Sequence, residues 1–187
     1  MKKVYCELKN GGAYTGHQIT NNGSFKIEMT IDSINFKTSY ICGTFKIYNL
    51  TRHHELISTY FEGEIVGRVY PFDYNKYFNK NISKDQEEKH WRIFPEWKQE
   101  YITNPNLYNP ETNKYLYLRV KEIFILPDPN VTNIPGASIE GLYYFCYYKA
   151  KDVFAGFYYF KDAHSISTQY IILEGIKKNT FASYEIR

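Results

Sequence analysis

Leu116–Tyr148 reads LYLRVKEIFILPDPNVTNIPGASIEGLYYFCYY, and the alternation of its side chains decides the architecture. Two runs of strand-forming residues flank a connection built from Pro127, Asp128, Pro129, Asn130, Pro135 and Gly136, the pattern of a hairpin with a long, turn-rich loop. Successive residues of a strand point to opposite faces. One face of the first run therefore carries Leu116, Leu118, Val120, Glu122, Phe124 and Leu126; the other carries Tyr117, Arg119, Lys121, Ile123 and Ile125. Glu122 thus falls in the middle of the apolar, inward face. A lone carboxylate taken out of water costs several kcal/mol. It needs a Lys or Arg, a cluster of hydroxyls, or a cation that arrives from outside.

The same period appears on either side of this hairpin. Phe25, Ile27, Met29 and Ile31 share a face, as do Ile41, Phe45 and Ile47, with Gly43 marking a bend or close approach. Ile57, Thr59, Phe61 and Ile65 lie together, with Glu62 and Glu64 assigned to the opposite, wet face. Val153–Phe160 and Thr168–Leu173 read as further strands, the latter with Gln169, Ile171 and Leu173 on one side. Residues 1–15 are read as a partly ordered approach to the first strand. Seven or eight strands with long connections predict an all-β fold, an antiparallel, lipocalin-like barrel of about eight strands. A barrel of that size encloses room for one small ligand.

One stretch breaks the pattern. Ser83-Lys84-Asp85-Gln86 is a capping box, and Trp91, Phe94, Trp97 and Tyr101 follow at helical spacing. This predicts a helical insert over about 83–102, stopped or kinked near Phe94 by Pro95 and covering one end of the sheet. Its tryptophans are read as core and not as a stacking platform. The segment after Glu174, GIKKNTFASYEIR, is basic and carries Phe181, Tyr184 and Ile186; it reads either as a fraying tail or as a docking segment.

With 187 residues, the chain suits a single domain, residues 1–187, large enough to bury roughly 70% of its unfolded surface. Aromatic residues make up 19% of it, 20 Tyr and 13 Phe among them, which favours pleated sheet over a helix bundle. A formal net charge of +3, scattered along the chain, gives no nucleic-acid footprint. No run of 18 apolar residues predicts a membrane span, and no signal-like segment follows Met1. Cys6, Cys42 and Cys146 are odd in number and lack metal spacing, so a cytoplasmic location is expected, with the nucleus left open. Sequons at Asn22, Asn49, Asn81 and Asn130 are read as chance in an Asn-rich chain.

Several kinds of chemistry are missing. His53-His54-Glu55 is not a zinc helix, and His17, His90 and His164 are scattered, so no metal is expected. There is no Gly-rich phosphate loop, no nucleophile elbow and no second inward carboxylate beside Glu122. The chain is not read as an enzyme, and a hydrolase built on Glu122 would lack a partner base or nucleophile. For Glu122 the bland alternative is an ion pair with Arg119 or Lys121, whose side chains alternation sends to the opposite face.

Seven short words occur in order: SYICG.FKI (Ser39–Ile47) with Leu50-Thr51 after it, FEGEI (Phe61–Ile65), KHW (Lys89–Trp91), KE.F.LPD (Lys121–Asp128), GAS..G.YY (Gly136–Tyr144) and G.YY (Gly156–Tyr159). Together they resemble the vacuolar import and degradation family, the substrate receptors of the GID (CTLH) ubiquitin ligase, from about Gly16 to Leu173. The resemblance implies a pocket at one barrel mouth that captures a free protein N-terminus, preferably proline or another small or apolar first residue, and delivers the protein for ubiquitination and proteasomal degradation. It places the terminal amine on Glu122, assisted by Tyr143, with polar contacts from Ser138, Tyr158, Gln169 and Gln18. The apolar lining falls on Ile27, Ile47, Leu50, Ile57, Thr59, Ile125, Ile134, Gly136 and Ile139.

Ile139 stands where the family has an aromatic residue, Ile57 where it has leucine, and Asn21 where it has lysine. A shorter wall at Ile139 would shift preference towards bulkier first residues. The implied partners are proteins with a free N-terminus and a scaffold subunit of the ligase, met through the tail at about 174–187; no cofactor, nucleic acid or membrane is implied. Residues beyond the first are expected in the loops Ile125–Ala137 and Gly16–Ser24. Alternation alone already turned Ile27, Ile47, Ile57, Thr59 and Glu122 inward. The competing reading is a lipocalin-like small-molecule binder, but the G-x-W word of that group is missing, and a carboxylate among apolar residues suits an amine better than a fatty acid.

Overall fold

The alternation of Phe25–Ile31 continues at both ends into a strand, β2, that runs Gly23–Asn35. A computed structural model describes residues 8–74, 83–131, 133–160 and 169–177. In it β2 is joined by β1 (Ala13–Thr20), β3 (Tyr40–Thr51), β4 (His54–Ile65), β5 (Tyr115–Leu126), β8 (Leu142–Tyr148), β9 (Val153–Tyr159) and β10 (Gln169–Gly175). These eight close into an antiparallel barrel in the order β1-β10-β9-β8-β5-β4-β3-β2. Closure gives each of the eight strands a neighbour on both sides. A two-residue ladder, β6 (Asn133–Ile134) with β7 (Ala137–Ser138), lies in the β5–β8 connection. The barrel interior holds one apolar cluster that includes Ile27, Met29, Ile31, Phe45, Phe61, Leu118, Tyr143, Phe145, Ile171 and Leu173. At Gly43 a Cβ would sit 2.0 Å from the Thr30 carbonyl oxygen, so the close approach of β2 and β3 there requires glycine.

Four details depart from the sequence reading. Residues 13–20 form a full strand, and Gly16–Ser24 is not a loop: only Asn21 and Asn22 separate β1 from β2. The regular alternation of β5 also fails at its upper end. Tyr60 pairs with Phe124 and Phe61 with Glu122, so Ile123 bulges out of the ladder. One extra residue flips every side chain beyond it. Ile125 is therefore buried, whereas Phe124 stacks on Tyr60 with ring centroids 5.0 Å apart. Phe124 and Leu126 belong to the outer face and Ile125 to the inner one.

Glu64 is fully buried, not wet. The insert and the segment around Phe72 cover its side of β4, and Arg119 from β5 bridges Glu64 (3.4 Å) and Glu87 (2.9 Å) while donating to the carbonyls of Pro71 and Phe72. Tyr144 Oη adds a 2.5 Å hydrogen bond to Glu87. The helix α1 spans Lys84–Trp91 behind the expected Ser83 capping box and stops before Phe94; a short second helix, α2, covers Glu100–Thr103. Trp91, Phe94, Trp97 and Tyr101 do pack as core, but with Tyr117, Tyr144, Cys146 and Phe157. Those four point outwards from β5, β8 and β9, so the insert clads the side wall of the barrel, not its end. This apolar coat explains why both faces of β8 are buried.

Candidate functional site

A cavity of about 490 Å³ opens at the end of the barrel where β5 and β9 finish and β2 and β10 begin, within the usual size range of ligand pockets. Each wall comes from a different strand. β3 supplies Ile47 and Leu50, β4 Ile57 and Thr59, β5 Glu122 and Ile125, β8 Tyr143, β9 Tyr158, β1 Gln18 and β10 Gln169; Gly136, Ser138 and Ile139 close the rim. Both Glu122 and Ile125 reach it because the Ile123 bulge lies between them.

Two proposed lining residues lie elsewhere. Ile27 is fully buried in the barrel core below the cavity; its strand brings Phe25, nearer the mouth, to the wall instead. Ile134 does not line the cavity but backs it, packed with Ile57 and Ile125 in a small rim cluster that Leu50, Ala137 and Ile139 adjoin. Thr20, Asn22, Phe25, Ala137 and Phe160 complete the lining without having been singled out from the sequence. Phe25 was recognisable as inward, but alternation says nothing about depth along the barrel.

Glu122 sits at the apolar heart of this site, 4% exposed. One carboxylate oxygen accepts 2.6 Å from Thr59 Oγ1 and the other 3.3 Å from Tyr143 Oη. Both donors are neutral, and among the described residues no Lys, Arg or His forms an ion pair with it. Arg119 is engaged on the far side of the wall, and Lys121 points to the Ile139 carbonyl. Burial pushes the Glu122 pKa above the ordinary carboxylate value, against the pull of Thr59, Lys121 and Tyr143. Burial likewise pushes Tyr143 well up, helped by the adjoining Glu122 charge; its hydroxyl stays a neutral donor. Geometry and electrostatics together describe a carboxylate solvated by two hydroxyls and short of a cation.

Gln18 and Gln169 face each other where the first and last strands meet. Gln18 Nε2 donates to Gln169 Oε1 at 2.7 Å. The Oε1 of Gln18 is buried without a hydrogen-bond partner. Tyr158 is used differently. Its hydroxyl donates to the Ser138 carbonyl (2.8 Å) and accepts from Gly141 N (2.7 Å), so it ties the rim segment to the barrel. A Cβ at Gly141 would lie 2.2 Å from the Tyr158 ring, and only glycine permits that seat. Ser138 Oγ accepts from Glu140 N at 3.2 Å. Among the described residues no group of three or more His, Cys, Asp or Glu is placed to hold a metal ion. Residues 178–187, most of the proposed docking tail, lie outside the described residues.

The chain is similar to known proteins along most of its length. Residues 7–176 match the sequence profile of the vacuolar import and degradation protein family. A mouse (Mus musculus) protein named glucose-induced degradation protein 4 homolog is 30% identical over 184 residues, covering 96% of this chain and 82% of that protein. A Schizosaccharomyces pombe protein named GID complex substrate-recognition subunit 4 is 26% identical, with 89% of each chain covered. GID complex substrate-recognition subunit 10 of Saccharomyces cerevisiae is 28% identical over 81% of this chain and 63% of its own length.

Proposed function

This chain belongs to the vacuolar import and degradation protein family, and from that membership we propose that it is a non-catalytic substrate receptor of a multi-subunit ubiquitin ligase, one that captures free protein N-termini. The site takes the first residues of a chain that begins with proline or another small or apolar residue. A cytoplasmic or nuclear location goes with this reading, as does a ligase scaffold subunit as the second partner.

The observation that carries the proposal is Glu122, a buried carboxylate met by hydroxyls and by no cation among the described residues. An α-amino group has a pKa near ~8, so it arrives mostly protonated at neutral pH. A prolyl ammonium offers two N–H donors. One goes to Glu122, and the other finds the Tyr143 or Ser138 hydroxyl. The ring, or another small apolar side chain, then rests among Ile47, Ile57, Ile125 and Ile139. Gln18 and Gln169, which line the cavity beside it, offer amide groups to the guest's backbone. Apolar burial supplies affinity, and the charge supplies the requirement for a free end.

A carrier of small apolar molecules is the competing function, and the same carboxylate argues against it. A neutral guest would leave Glu122 charged and still dry, and a fatty acid would add a second negative charge. The test is a fluorescence-polarisation titration of one Pro-initiated peptide, free and N-acetylated. Acetylation removes the charge and should weaken binding by about 2–5 kcal/mol. Equal affinity for the two forms would eliminate N-terminal capture.

A further inference from the structure

The barrel has a seam beside the pocket. β5 and β8 pair from Tyr115 and Tyr148 up to Val120 and Tyr143, and their ladder stops there. Beyond that point β5 runs on to Leu126 paired with β4, and β8 begins at Leu142 paired with β9. The segment Ser138–Gly141 lies across this gap and carries Ile139 to the cavity wall. Its first residue pairs with Asn133 in the small β6–β7 ladder, which is not part of the barrel. Side chains fasten it to the barrel instead. Tyr158 clasps it twice from β9, through the Ser138 carbonyl and the Gly141 amide. From β5, the Lys121 ammonium donates to the Ile139 carbonyl.

We propose that Lys121, which does not line the cavity, is a positioning residue that sets the receptor's selectivity for the first residue of its guest by fixing Ile139 across the seam. The inference rests on the receptor function argued above. Ile139 adjoins the rim cluster of Ile57 and Ile125, so its place decides how much room a first side chain finds there. A ladder would hold that wall rigidly. Tyr158 holds the segment at Ser138 and Gly141, on either side of Ile139, and Lys121 holds it at Ile139 itself. The long stem of Lys121 is half-buried on the outer side of β5, so the side chain acts through the main chain of the rim and touches no guest.

The test compares wild type with Lys121→Met, which keeps the stem and loses the donor, and Lys121→Arg, which keeps a donor of similar reach. Each is titrated with free peptides that differ only in a first residue of Pro, Ile or Phe, and amide hydrogen exchange is followed over residues 139–141. Lys121→Met should still bind, but its Pro-to-Phe affinity ratio should change by at least about fivefold, and exchange over 139–141 should rise about tenfold or more. Lys121→Arg should restore both. A Lys121→Met protein with the wild-type ratio, or one that loses affinity equally for all three peptides, overturns the proposal. Should wild type bind none of the peptides, the receptor function falls instead, and unchanged exchange in Lys121→Met would then overturn the clasp on its own.

Discussion

Glu122 and Ile125 face the same cavity from one strand, because Ile123 bulges out of the ladder between them. The carboxylate and the apolar wall beside it are thus neighbours inside a barrel whose regular pleat would have sent one of them to solvent. Their meeting in one cavity depends on a single irregular residue.

That irregularity leads to a deletion experiment. The β4–β5 register skips Ile123 altogether, Tyr60 meeting Phe124 and Phe61 meeting Glu122. Removing Ile123 should leave every paired residue on its present face. The deleted protein is expected to unfold cooperatively in urea, with its stability within about 2 kcal/mol of wild type. Loss of a cooperative transition would mean the bulge carries more of the fold than the register indicates.

Glu122→Gln should separate binding from stability. The folded-state pKa of Glu122 is raised, so the native protein holds that proton more tightly than the unfolded chain does. Stability from this group is therefore present at acid pH and is lost as pH rises through the folded value. Glutamine never charges. The variant should melt higher than wild type at pH 7, the two curves should converge below the ordinary carboxylate pKa, and binding of a Pro-initiated peptide should fall by about 2–5 kcal/mol. Unchanged affinity would remove Glu122 from the mechanism.

Arg119 predicts the opposite balance. Its guanidinium is fully buried and shared between Glu64 and Glu87. Arg119→Met would remove the cation between two buried carboxylates beneath the insert, at a cost of about 3–5 kcal/mol in urea unfolding. Peptide affinity of the folded fraction should stay within about threefold, since Arg119 faces away from the cavity. A loss of only a few tenths of a kcal/mol would show that water reaches the cluster.

His90 supplies a pH dependence of known sign. It is buried against the rings of Tyr144 and Tyr159, and burial lowers its pKa from 6.5 to about 4, Arg119 adding to the shift and Glu87 opposing it. Between those values the unfolded chain binds the proton and the native protein does not. Stability from this residue is full above pH 6.5 and drains away as pH falls towards 4, by about 3 kcal/mol in all. His90→Phe should flatten that part of the stability–pH curve relative to wild type. Parallel curves would show that the imidazole is not held neutral.

Much of the barrel was legible in the residues, and the exceptions share a cause. β2, β3 and β10 alternate visibly because water lies on one side of each. β1 escaped notice because its inward positions include Gly16 and Gln18, and a polar residue placed to serve a site spoils the apolar period that marks a strand. Glu64 looked exposed because nothing local announces that a helix twenty residues later will cover it. The bulge at Ile123 leaves no compositional trace. Glu122 was the clearest signal in the site, a charge on a greasy face, whereas Tyr143 and Tyr158 could not be told from ordinary core without a resemblance to guide the reading. Depth was invisible as well: Ile27 and Phe25 share a face, and only the closed register shows which of them reaches the cavity.

The Gln18–Gln169 contact joins the strands that come first and last along the barrel. Without β10 the cylinder has no wall between β1 and β9, and Gln169, Ile171 and Leu173 are missing from its interior. The cavity therefore gains its last wall only when the two strands farthest apart in the sequence have met.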